Sequence, residues 1–305
     1  MFRELPGEGV KNEIEAHIAE AVKSIAGEGV VPKLAVMRAG DDDSQEYYEA
    51  AIQRQSSEYG IETQAIRFTE NVSQALFEAT LQAINGDESV HGIIMLRPLP
   101  DGLDSERLRR MINPAKDVDA ITDYSIAEMF MGREDAFCSC TAEACLEMLR
   151  FYGIDPAGKK VTILGRSKTV GKPLALMLIH KNATVTVCHS ATPEEDMEAA
   201  CRNADIVILA TGLTQGFGSR YFRDGQIILD VGTGTGRDGK MHGDLDIEEI
   251  MESGKINDLT YTPVPGGLGM VTTAVLLRNI IRAARRAADT DKGSGKGIIS
   301  LQEMM

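Results

Sequence analysis

The sequence predicts an α/β protein of two domains, and three observations carry this prediction. Short apolar runs of strand length alternate with helical patterns through both halves of the chain. One run in the second half leads directly into a glycine-containing turn and then a helix. The 305 residues are enough for two domains, each with its own core. Alternating strands and helices form a mostly parallel sheet covered on both faces, so we expect a three-layer α/β domain followed by a doubly wound one.

The first half shows the alternation from its beginning. Apolar residues recur at helical spacing from Val10 to Ile25, and Gly27 is placed to end that helix. The other elements predicted here are the strands 33–38, 63–68 and 92–96 and the helices 44–59 and 73–84. These elements form the predicted N-terminal domain.

The second half repeats the alternation with tighter turns. Four short apolar runs predict strands, at 161–164, 184–187, 205–209 and 226–230. A helix begins near Gly171, and a long helix is predicted over 271–287. Such strands with intervening helices are typical of a Rossmann-like, dinucleotide-binding domain. We expect the tail, 288–305, to be loose because it contains Gly-Ser-Gly.

Composition and charge exclude several classes of protein. The chain has 32 Lys and Arg against 46 Asp and Glu, a net charge of −14, which disfavours binding to nucleic acid or to anionic membrane surfaces. No segment approaches the length of an apolar membrane span, and the first residues have no signal-peptide pattern. The five cysteines show neither zinc-site spacing nor a disulfide framework. These features predict an intracellular, cytoplasmic enzyme with reduced thiols.

The turn from Gly165 to Gly171 is the first candidate binding site. A strand that feeds a glycine turn and a helix offers backbone N–H groups to a phosphate, assisted by the helix dipole. The turn is not a Walker A loop, because Pro173 stands where that motif needs Ser or Thr. A purely structural turn is the alternative, but the position between two predicted strands favours a cofactor.

The next predicted strand indicates which dinucleotide this turn would bind. NAD sites usually place a carboxylate at the end of that strand, whereas here it ends in Cys188-His189-Ser190-Ala191-Thr192, without an acid. Arg166 and Ser190 are instead placed to face a ribose 2′-phosphate, the first as a charged fork and the second as a hydroxyl donor. NADP is therefore favoured over NAD, and a solvated Arg166 is the alternative.

Two further segments have a residue composition that suggests a ligand-binding role. The segment 262–269 combines two prolines with three glycines, which suits a loop that lies against a ligand. The segment 114–119 carries two carboxylates and too few ligands for a metal, so a capped turn and a carboxylate that binds the N–H donors of a heterocycle both stay open. The five histidines are scattered and are interpreted as structural. No metal site is expected.

Together these segments resemble the methylenetetrahydrofolate dehydrogenase/cyclohydrolase family from about Leu34 to Ile281. The matching segments keep the family's order and spacing: Gly92-Ile-Ile-Met with Pro98-Leu99-Pro100, Lys116-Asp-Val-Asp119, Cys140-Thr141, Gly165-Arg-Ser-Lys, Ala183 to Ser190, Asp230-Val-Gly232, Gly243-Asp244 and Thr262-Pro-Val-Pro-Gly-Gly. The resemblance implies a folate-binding domain of residues 1–143 with 271–305, an NADP-binding domain of residues 144–270, and a folate cleft between them. It also implies a homodimer that takes tetrahydrofolate derivatives as substrates.

The resemblance assigns site residues as well. Tyr48 would stack against the folate and Asp119 would bind its pterin, which makes these two the expected catalytic-site residues. Pro265 and Gly266 would form part of the wall of the cleft. The residues expected to line the NADP site are Thr141, Gly165, Arg166, Ser167, Ser190, Ala210, Val231, Thr233 and Thr272.

Two departures from the family fall on catalytic positions. The family has a Lys four residues after the Tyr and a Gln-Leu pair before Pro-Leu-Pro, whereas this chain has Ile52 and Leu96-Arg97. Arg54 points away from the face that carries Ile52, and Arg97 is expected to face the opposite side from Leu96. An Arg also holds its proton too firmly to act as a base. Smaller departures are Ala120 after Asp119, Ala142 after Thr141, and Met270-Val271 before the last helix.

These departures separate the two reactions of the family. Hydride transfer from 5,10-methylenetetrahydrofolate to NADP needs stacking and placement, whereas hydrolysis of the methenyl product needs a positioned acid or base. We therefore expect an NADP-dependent dehydrogenase with weak or absent cyclohydrolase activity. Two alternatives stay open: a fully bifunctional enzyme that gives 10-formyltetrahydrofolate, and a non-catalytic paralogue that binds folate or nucleotide.

Overall fold

The chain forms an α/β structure of two compact units in a computed structural model that describes residues 1–236 and 238–294. The elements of the first part are β1 (Phe2–Glu4), α1 (Glu8–Ala26), β2 (Lys33–Ala39), α2 (Asp43–Glu58), β3 (Glu62–Phe68), α3 (Gln74–Gly86), β4 (Gly92–Met95), α4 (Ser105–Met111) and α5 (Asp123–Phe130). Those that follow are α6 (Cys140–Phe151), β5 (Lys160–Leu164), α7 (Gly171–His180), β6 (Thr184–Cys188), α8 (Glu194–Asn203), β7 (Ile206–Leu209), β8 (Gln226–Asp230), β9 (Gly234–Thr235), β10 (Met241–His242), α9 (Ile247–Ser253), β11 (Leu259–Tyr261) and α10 (Leu268–Ser294). The larger unit contains residues 1–14 and 124–275, and the smaller unit contains residues 15–123 and the chain from 276.

The smaller unit is built on a parallel sheet in the order β3-β2-β4. One face of this sheet packs against α3 and α4 through a buried apolar cluster that includes Met37, Phe77 and Ile93. The other face meets α2, since Arg38 on β2 bonds to Glu46 and Glu49 on that helix. The unit therefore has the three layers that the sequence predicts.

The larger unit is built on a parallel sheet of six strands in the order β1-β11-β8-β7-β5-β6. The chain leaves β5 to form β6 on one side and β7 and β8 on the other, so the strand order reverses between β5 and β7. In doubly wound folds ligands bind at the carboxyl ends of the strands beside such a reversal. The predicted Rossmann-like topology is confirmed, and it brings the ends of β5 and β7 together.

The main helices and strands predicted from the sequence are present, but several elements are additional to the prediction. These are the helices α4, α5, α6 and α9, the three-residue strands β1 and β11, and the antiparallel pair β9–β10. The last helix continues to Ser294, so the first part of the segment expected to be loose is helical, and residues 295–305 lie outside the described part of the chain. No helix among the described residues is long and apolar enough to cross a membrane.

Candidate active site

The carboxyl edge of the larger sheet gathers most of the residues predicted to bind a dinucleotide. Gly165 follows β5, Ser190 follows β6 by two residues, Ala210 follows β7 and Val231 follows β8. Because parallel strands end at the same edge, residues from four separate segments of the chain meet there. Thr233 is exposed on the loop after β8, and Arg166 and Ser167 are exposed beside Gly165.

The glycines of the turn are required by its packing. Gly165 has φ +120°, and a Cβ at this position would lie 2.2 Å from the carbonyl oxygen of Ala210. A Cβ at Gly171 would lie 2.1 Å from the carbonyl oxygen of Gly165. The turn after β5 therefore closes directly against the end of β7 and against the start of α7, which leaves no room for a side chain at either glycine.

The backbone donors at the start of α7 are bonded within the turn, which differs from the sequence expectation. The N–H groups of Val170 and Gly171 donate to Ser167 Oγ, at 3.0 and 3.4 Å, and the Lys172 N–H donates to the Ser167 carbonyl at 3.1 Å. Ser167, three residues before the N-cap residue Val170, thus accepts these three donors with its hydroxyl and carbonyl oxygens. A phosphate at this turn would meet the exposed side chain of Arg166 and not these three N–H groups.

The turn after β6 presents Ser190 without a neighbouring acid. The Thr192 hydroxyl accepts from the His189 N–H at 3.0 Å, and the Thr192 N–H donates to the His189 carbonyl at 2.8 Å, so the turn is closed on itself. Ser190 is exposed at its tip, and the next carboxylates belong to the first turn of α8. The role of Ser190 as a hydroxyl donor to a 2′-phosphate stays a prediction.

Two buried carboxylates, Asp230 and Asp244, hold the loops at this edge, and the sequence reasoning gave neither a role. Asp230 accepts the N–H groups of Gly232, Asp244 and Leu245 at 2.8–3.0 Å. Asp244 Oδ2 accepts the N–H and hydroxyl of Thr211 at 2.7 and 2.8 Å, while its Oδ1 is buried without a hydrogen-bond partner. Burial raises the pKa of Asp230 to about 7, against the lowering effect of its three N–H donors. The sequence signal for Asp230 is an acid at the end of a buried apolar strand, whereas no such strand marks Asp244.

The loop at 262–269 is fixed by its own backbone. The Val264–Pro265 peptide bond is cis, and Gly266 has φ +103°. The Gly266 carbonyl accepts the Gly7 N–H at 2.8 Å, and Pro265 and Gly266 are both exposed. Thr272 lies one turn into α10, where its hydroxyl donates to the Leu268 carbonyl at 3.1 Å.

Thr141 lies near the start of α6. It is half-buried in the first turn of this helix, and Ser139, two residues before it, donates its hydroxyl to the Thr169 carbonyl of the glycine turn. The start of α6 is therefore tied to the turn that carries Arg166.

In the smaller unit the two positions at which the resemblance expects catalytic residues, 52 and 96, are part of the core. Ile52 on α2 is 0% exposed and Leu96 is 4% exposed. The Leu96 N–H donates to the Met37 carbonyl at 2.8 Å, which continues the register in which Val36 pairs with Ile94. Leu96 therefore lies on the side of the sheet that faces α2, the helix that carries Ile52 and the half-buried Tyr48. Neither position offers an acid or a base.

The segment 116–119 divides into structural residues and one partly exposed carboxylate. Lys116 Nζ donates to the carbonyl oxygens of Ile84, Asn85 and Asp87 at 2.7–3.1 Å, at the end of α3. Desolvation lowers the pKa of Lys116, with Asp87 acting in the opposite direction. Asp117 is fully buried and accepts two backbone N–H groups, at 2.7 and 3.0 Å. The capped-turn interpretation thus holds for these two residues.

Asp119 is the carboxylate that this capped turn presents. Its side chain is 23% exposed, and it lies 3.9 Å from the guanidinium of Arg97, measured between Nη2 and Oδ2. Ala120 after it has φ +53°, the left-handed region that favours the glycine found there in the family. Arg97 therefore lies near Asp119, the residue expected to bind the pterin.

No metal-binding group is formed by the His, Cys, Asp and Glu side chains of the described residues. The predicted folate site remains a prediction, and so does the predicted nucleotide site. The residues expected in the folate site are Tyr48, Asp119, Pro265 and Gly266.

The comparisons with known proteins agree on one family. The model of the tetrahydrofolate dehydrogenase/cyclohydrolase catalytic domain matches residues 5–119, and the model of the NAD(P)-binding domain of the same family matches residues 139–288. The bifunctional protein FolD of Dictyoglomus thermophilum is 37% identical over 282 residues, which cover 92% of this chain and 97% of that protein.

Solved structures of the family have the same fold. The bifunctional FolD methylenetetrahydrofolate dehydrogenase/cyclohydrolase of Campylobacter jejuni superposes with a TM-score of 0.88 at 33% identity, covering 94% of this chain and 99% of that one. The Trypanosoma brucei enzyme, solved with NADP and an inhibitor, gives 0.86 at 29% identity, covering 92% and 96%. With both family models matched in order and relatives aligned over almost their whole length, this chain belongs to the tetrahydrofolate dehydrogenase/cyclohydrolase family.

Proposed function

We propose that the chain is a methylenetetrahydrofolate dehydrogenase that uses NADP. The observation that carries this proposal is the glycine turn after β5, packed against the end of β7 where the strand order reverses, in a region that matches the family's NAD(P)-binding model. Asp119 and Tyr48, in the region that matches the catalytic model, supply the folate side. In this proposal residues 1–143 with 271–305 bind folate and residues 144–270 bind NADP.

The proposed oxidation moves a hydride and no proton. A C–H bond of the methylene bridge of 5,10-methylenetetrahydrofolate breaks, and its two electrons go with the hydrogen to C4 of the nicotinamide. The carbon left behind becomes a methenyl cation, whose charge is shared by the two flanking nitrogens, and NADP becomes NADPH. Because no base is consumed, the protein has to orient the two reactants and exclude water, and buried aliphatic side chains at 52 and 96 do not oppose that.

Selectivity for NADP is proposed to come from Arg166 and Ser190. Both side chains are exposed at the carboxyl edge, and no carboxylate follows β6 before α8. A guanidinium binds a phosphate through a charge-assisted pair of hydrogen bonds that a ribose hydroxyl does not match. The NADP bound in the Trypanosoma brucei relative supports the same cofactor here.

The fully bifunctional enzyme is the second candidate, and the relatives support it better than they support a dehydrogenase alone. The curated relatives, 33–37% identical, are described as bifunctional proteins, which speaks for hydrolysis of the methenyl product to 10-formyltetrahydrofolate. The expectation of weak or absent hydrolysis rests on Ile52 and Leu96, because attack by water needs a proton relay that neither side chain provides.

One experiment separates these candidates. The purified chain is given 5,10-methylenetetrahydrofolate with NADP or NAD, and NADPH or NADH formation is followed by fluorescence. The methenyl compound is then added alone and the decay of its chromophore is compared with the buffer rate. NADPH formation supports the dehydrogenase, and decay faster than in buffer supports the bifunctional enzyme. Absence of both activities with measurable binding would favour the non-catalytic paralogue and overturn the proposal.

We also propose that the enzyme works in the cytoplasm as a homodimer, as the family resemblance implies. Sedimentation of the purified chain across a range of concentrations tests the dimer directly, and a single species of monomer mass would exclude it.

A further inference from the structure

Arg38 is a charged residue in the core of the smaller unit. It is the second-last residue of β2, and its side chain is buried on the side of the sheet that faces α2. β2 pairs with β4, so the carboxyl ends of these two strands form one edge, and open α/β sheets bind ligands at this edge. A buried guanidinium is costly unless its charge is paired, so its partners indicate what it does.

All three nitrogens of the Arg38 guanidinium are hydrogen-bonded. Nη1 donates to the Gly40 carbonyl at 2.7 Å, Nε donates to Glu49 at 2.8 Å, and Nη2 donates to Glu46 at 2.6 Å. Glu46 and Glu49 are three residues apart on α2, so they lie on the same side of that helix. One planar group therefore fixes the start of α2 against the end of β2.

A second contact holds the same part of α2 against the segment after β4. The buried Gln45 donates from Nε2 to the Pro98 carbonyl at 2.8 Å. Its backbone N–H donates to Asp42 Oδ1 at 3.0 Å, which caps the helix. The first turns of α2 are therefore held by the cap, by Arg38 and by the Pro98 carbonyl.

Tyr48 lies inside the stretch of α2 that these contacts hold. It follows Gln45 by three residues and stands between Glu46 and Glu49 in the sequence, and it is half-buried. Because a tyrosine ring turns about only two side-chain torsions, the place of the helix backbone largely determines where the ring lies.

We propose that Arg38 is a positioning residue for Tyr48, the residue expected to stack against the folate. The guanidinium fixes the first turns of α2, and so fixes the distance between the ring and the ligand. The attraction between packed groups falls by about a quarter to a half when a gap of about 0.5–1 Å opens between them. The inference rests on the proposed function, because it takes folate as the ligand of Tyr48.

The variant that tests this role removes the buried ion pair as a whole. Arg38→Met with Glu49→Leu leaves neither charge buried alone, and apolar residues of similar volume often replace a buried ion pair without loss of stability. The remaining partners, Glu46 and Arg67, have side chains that are 50% and 57% exposed, so water solvates them when the pair is removed. The control is Arg67→Met. Arg67 binds the other oxygen of Glu49 at 2.6 Å from the exposed side, so this change leaves every bond of Arg38 in place.

The first test measures KM and kcat separately, on variants that thermal unfolding has shown to be folded. We expect Arg38→Met with Glu49→Leu to raise KM for methylenetetrahydrofolate about fivefold or more, since a stacked ring contributes at least this much to binding. KM for NADP stays within about twofold, because the residues proposed to bind NADP lie in other segments of the chain, and kcat changes as little if the ring binds substrate and transition state equally. A variant that is merely less stable loses active enzyme and keeps both KM values.

Two further variants complete this comparison. Arg38→Lys keeps the charge without the planar fork, so it gives a smaller rise in KM for folate, and it replaces the double variant if that one does not fold. Arg67→Met keeps both KM values of wild type. An unchanged KM for folate in the folded double variant, or an equal rise in KM for folate and for NADP, would overturn the proposal.

The second test determines whether Arg38 acts through Tyr48. A Tyr48→Ala background has no ring to place, so Arg38→Met with Glu49→Leu should change the Kd of tetrahydrofolate, measured by calorimetry, by less than about twofold there. The full fivefold effect in that background would overturn the proposal. This measurement needs no turnover. A wild type that binds tetrahydrofolate without oxidising the methylene compound overturns the proposed function, and the Kd values still decide the role of Arg38. A wild type without affinity for tetrahydrofolate overturns both.

Discussion

The first prediction concerns placing a proton carrier between α2 and the sheet of the smaller unit, at positions 52 and 96. We expect the double change Ile52→Lys with Leu96→Gln to speed hydrolysis of the methenyl compound by about 10²–10⁴-fold, the usual contribution of a positioned acid or base. Hydride transfer needs no such group, so the rate of NADPH formation changes far less. The ratio of the two rates is the quantity to measure, because it is independent of the fraction of active enzyme.

The same change has a cost in stability that follows from burial. Ile52 is 0% exposed, so replacing it loses about 1.5–3 kcal/mol of apolar burial and desolvates an ammonium group. We expect the free energy of unfolding to fall by about 3 kcal/mol or more, and the pKa of the new lysine to lie below its ordinary value. Ile52→Met is the matched control, since it keeps the volume at a cost below about 1.5 kcal/mol and adds no titratable group.

Either of two results would contradict this prediction. If wild type hydrolyses the methenyl compound as fast as it oxidises the methylene compound, another group carries the proton and the bifunctional candidate is supported. If the folded double variant shows no gain over Ile52→Met, the two side chains are not what limits hydrolysis.

Four further predictions rest on single residues. Ala120→Gly relieves a left-handed residue and should raise the free energy of unfolding by about 0.5–1 kcal/mol in urea titrations, and a loss of stability would contradict the strain. Lys116→Met removes a charged donor from three carbonyl groups and should lower the same quantity by about 2–3 kcal/mol, whereas a neutral outcome would deny it a structural role. Asp230 has a folded-state pKa raised from 3.8 to about 7, so its contribution to the free energy of unfolding is present below pH 3.8 and is lost as pH rises through 7. The free energy of unfolding of wild type relative to Asp230→Asn should therefore fall by at most about 4 kcal/mol between these pH values. A difference that does not change with pH would contradict this prediction. Arg166→Leu should raise KM for NADP about 10-fold or more with little change in KM for NAD, and a parallel rise for both would show that Arg166 does not contact the 2′-phosphate.

The parts of the fold that are predictable from sequence are those with local signals. Strands such as β5 and β7 are continuous apolar runs, and the glycine turn follows directly, so their order fixes the Rossmann-like topology. β1 and β11 have only three residues each and pair with partners distant in sequence, so no local pattern marks them. Short strands of this kind depend on tertiary context more than on propensity.

The candidate site was predictable from the sequence only where a local pattern marks it. Burial of Ile52 and Leu96 follows from their apolar character and position. The closeness of Arg97 and Asp119 does not, because it depends on how the end of β4 meets a separate capped turn. The N–H groups of the glycine turn were assigned to a phosphate, since the sequence gives no sign that the Ser167 hydroxyl would accept two of them.

The carboxylates of Asp230 and Asp244 bind mainly backbone N–H groups at the carboxyl edge of the larger sheet. The residues that hold these loops are therefore different from the residues proposed to bind the cofactor. Four of the five residues that they hold donate only a backbone N–H to the carboxylates, so these loops are held through the main chain and not through the identity of most side chains. The exceptions are Gly232 and Gly243, where a Cβ would lie 2.1 and 2.0 Å from carboxylate oxygens. In the proposed NADP site, we therefore expect cofactor preference to be open to redesign at Arg166, Ser190 and Val231, provided that the two acids and the glycines facing them are left untouched.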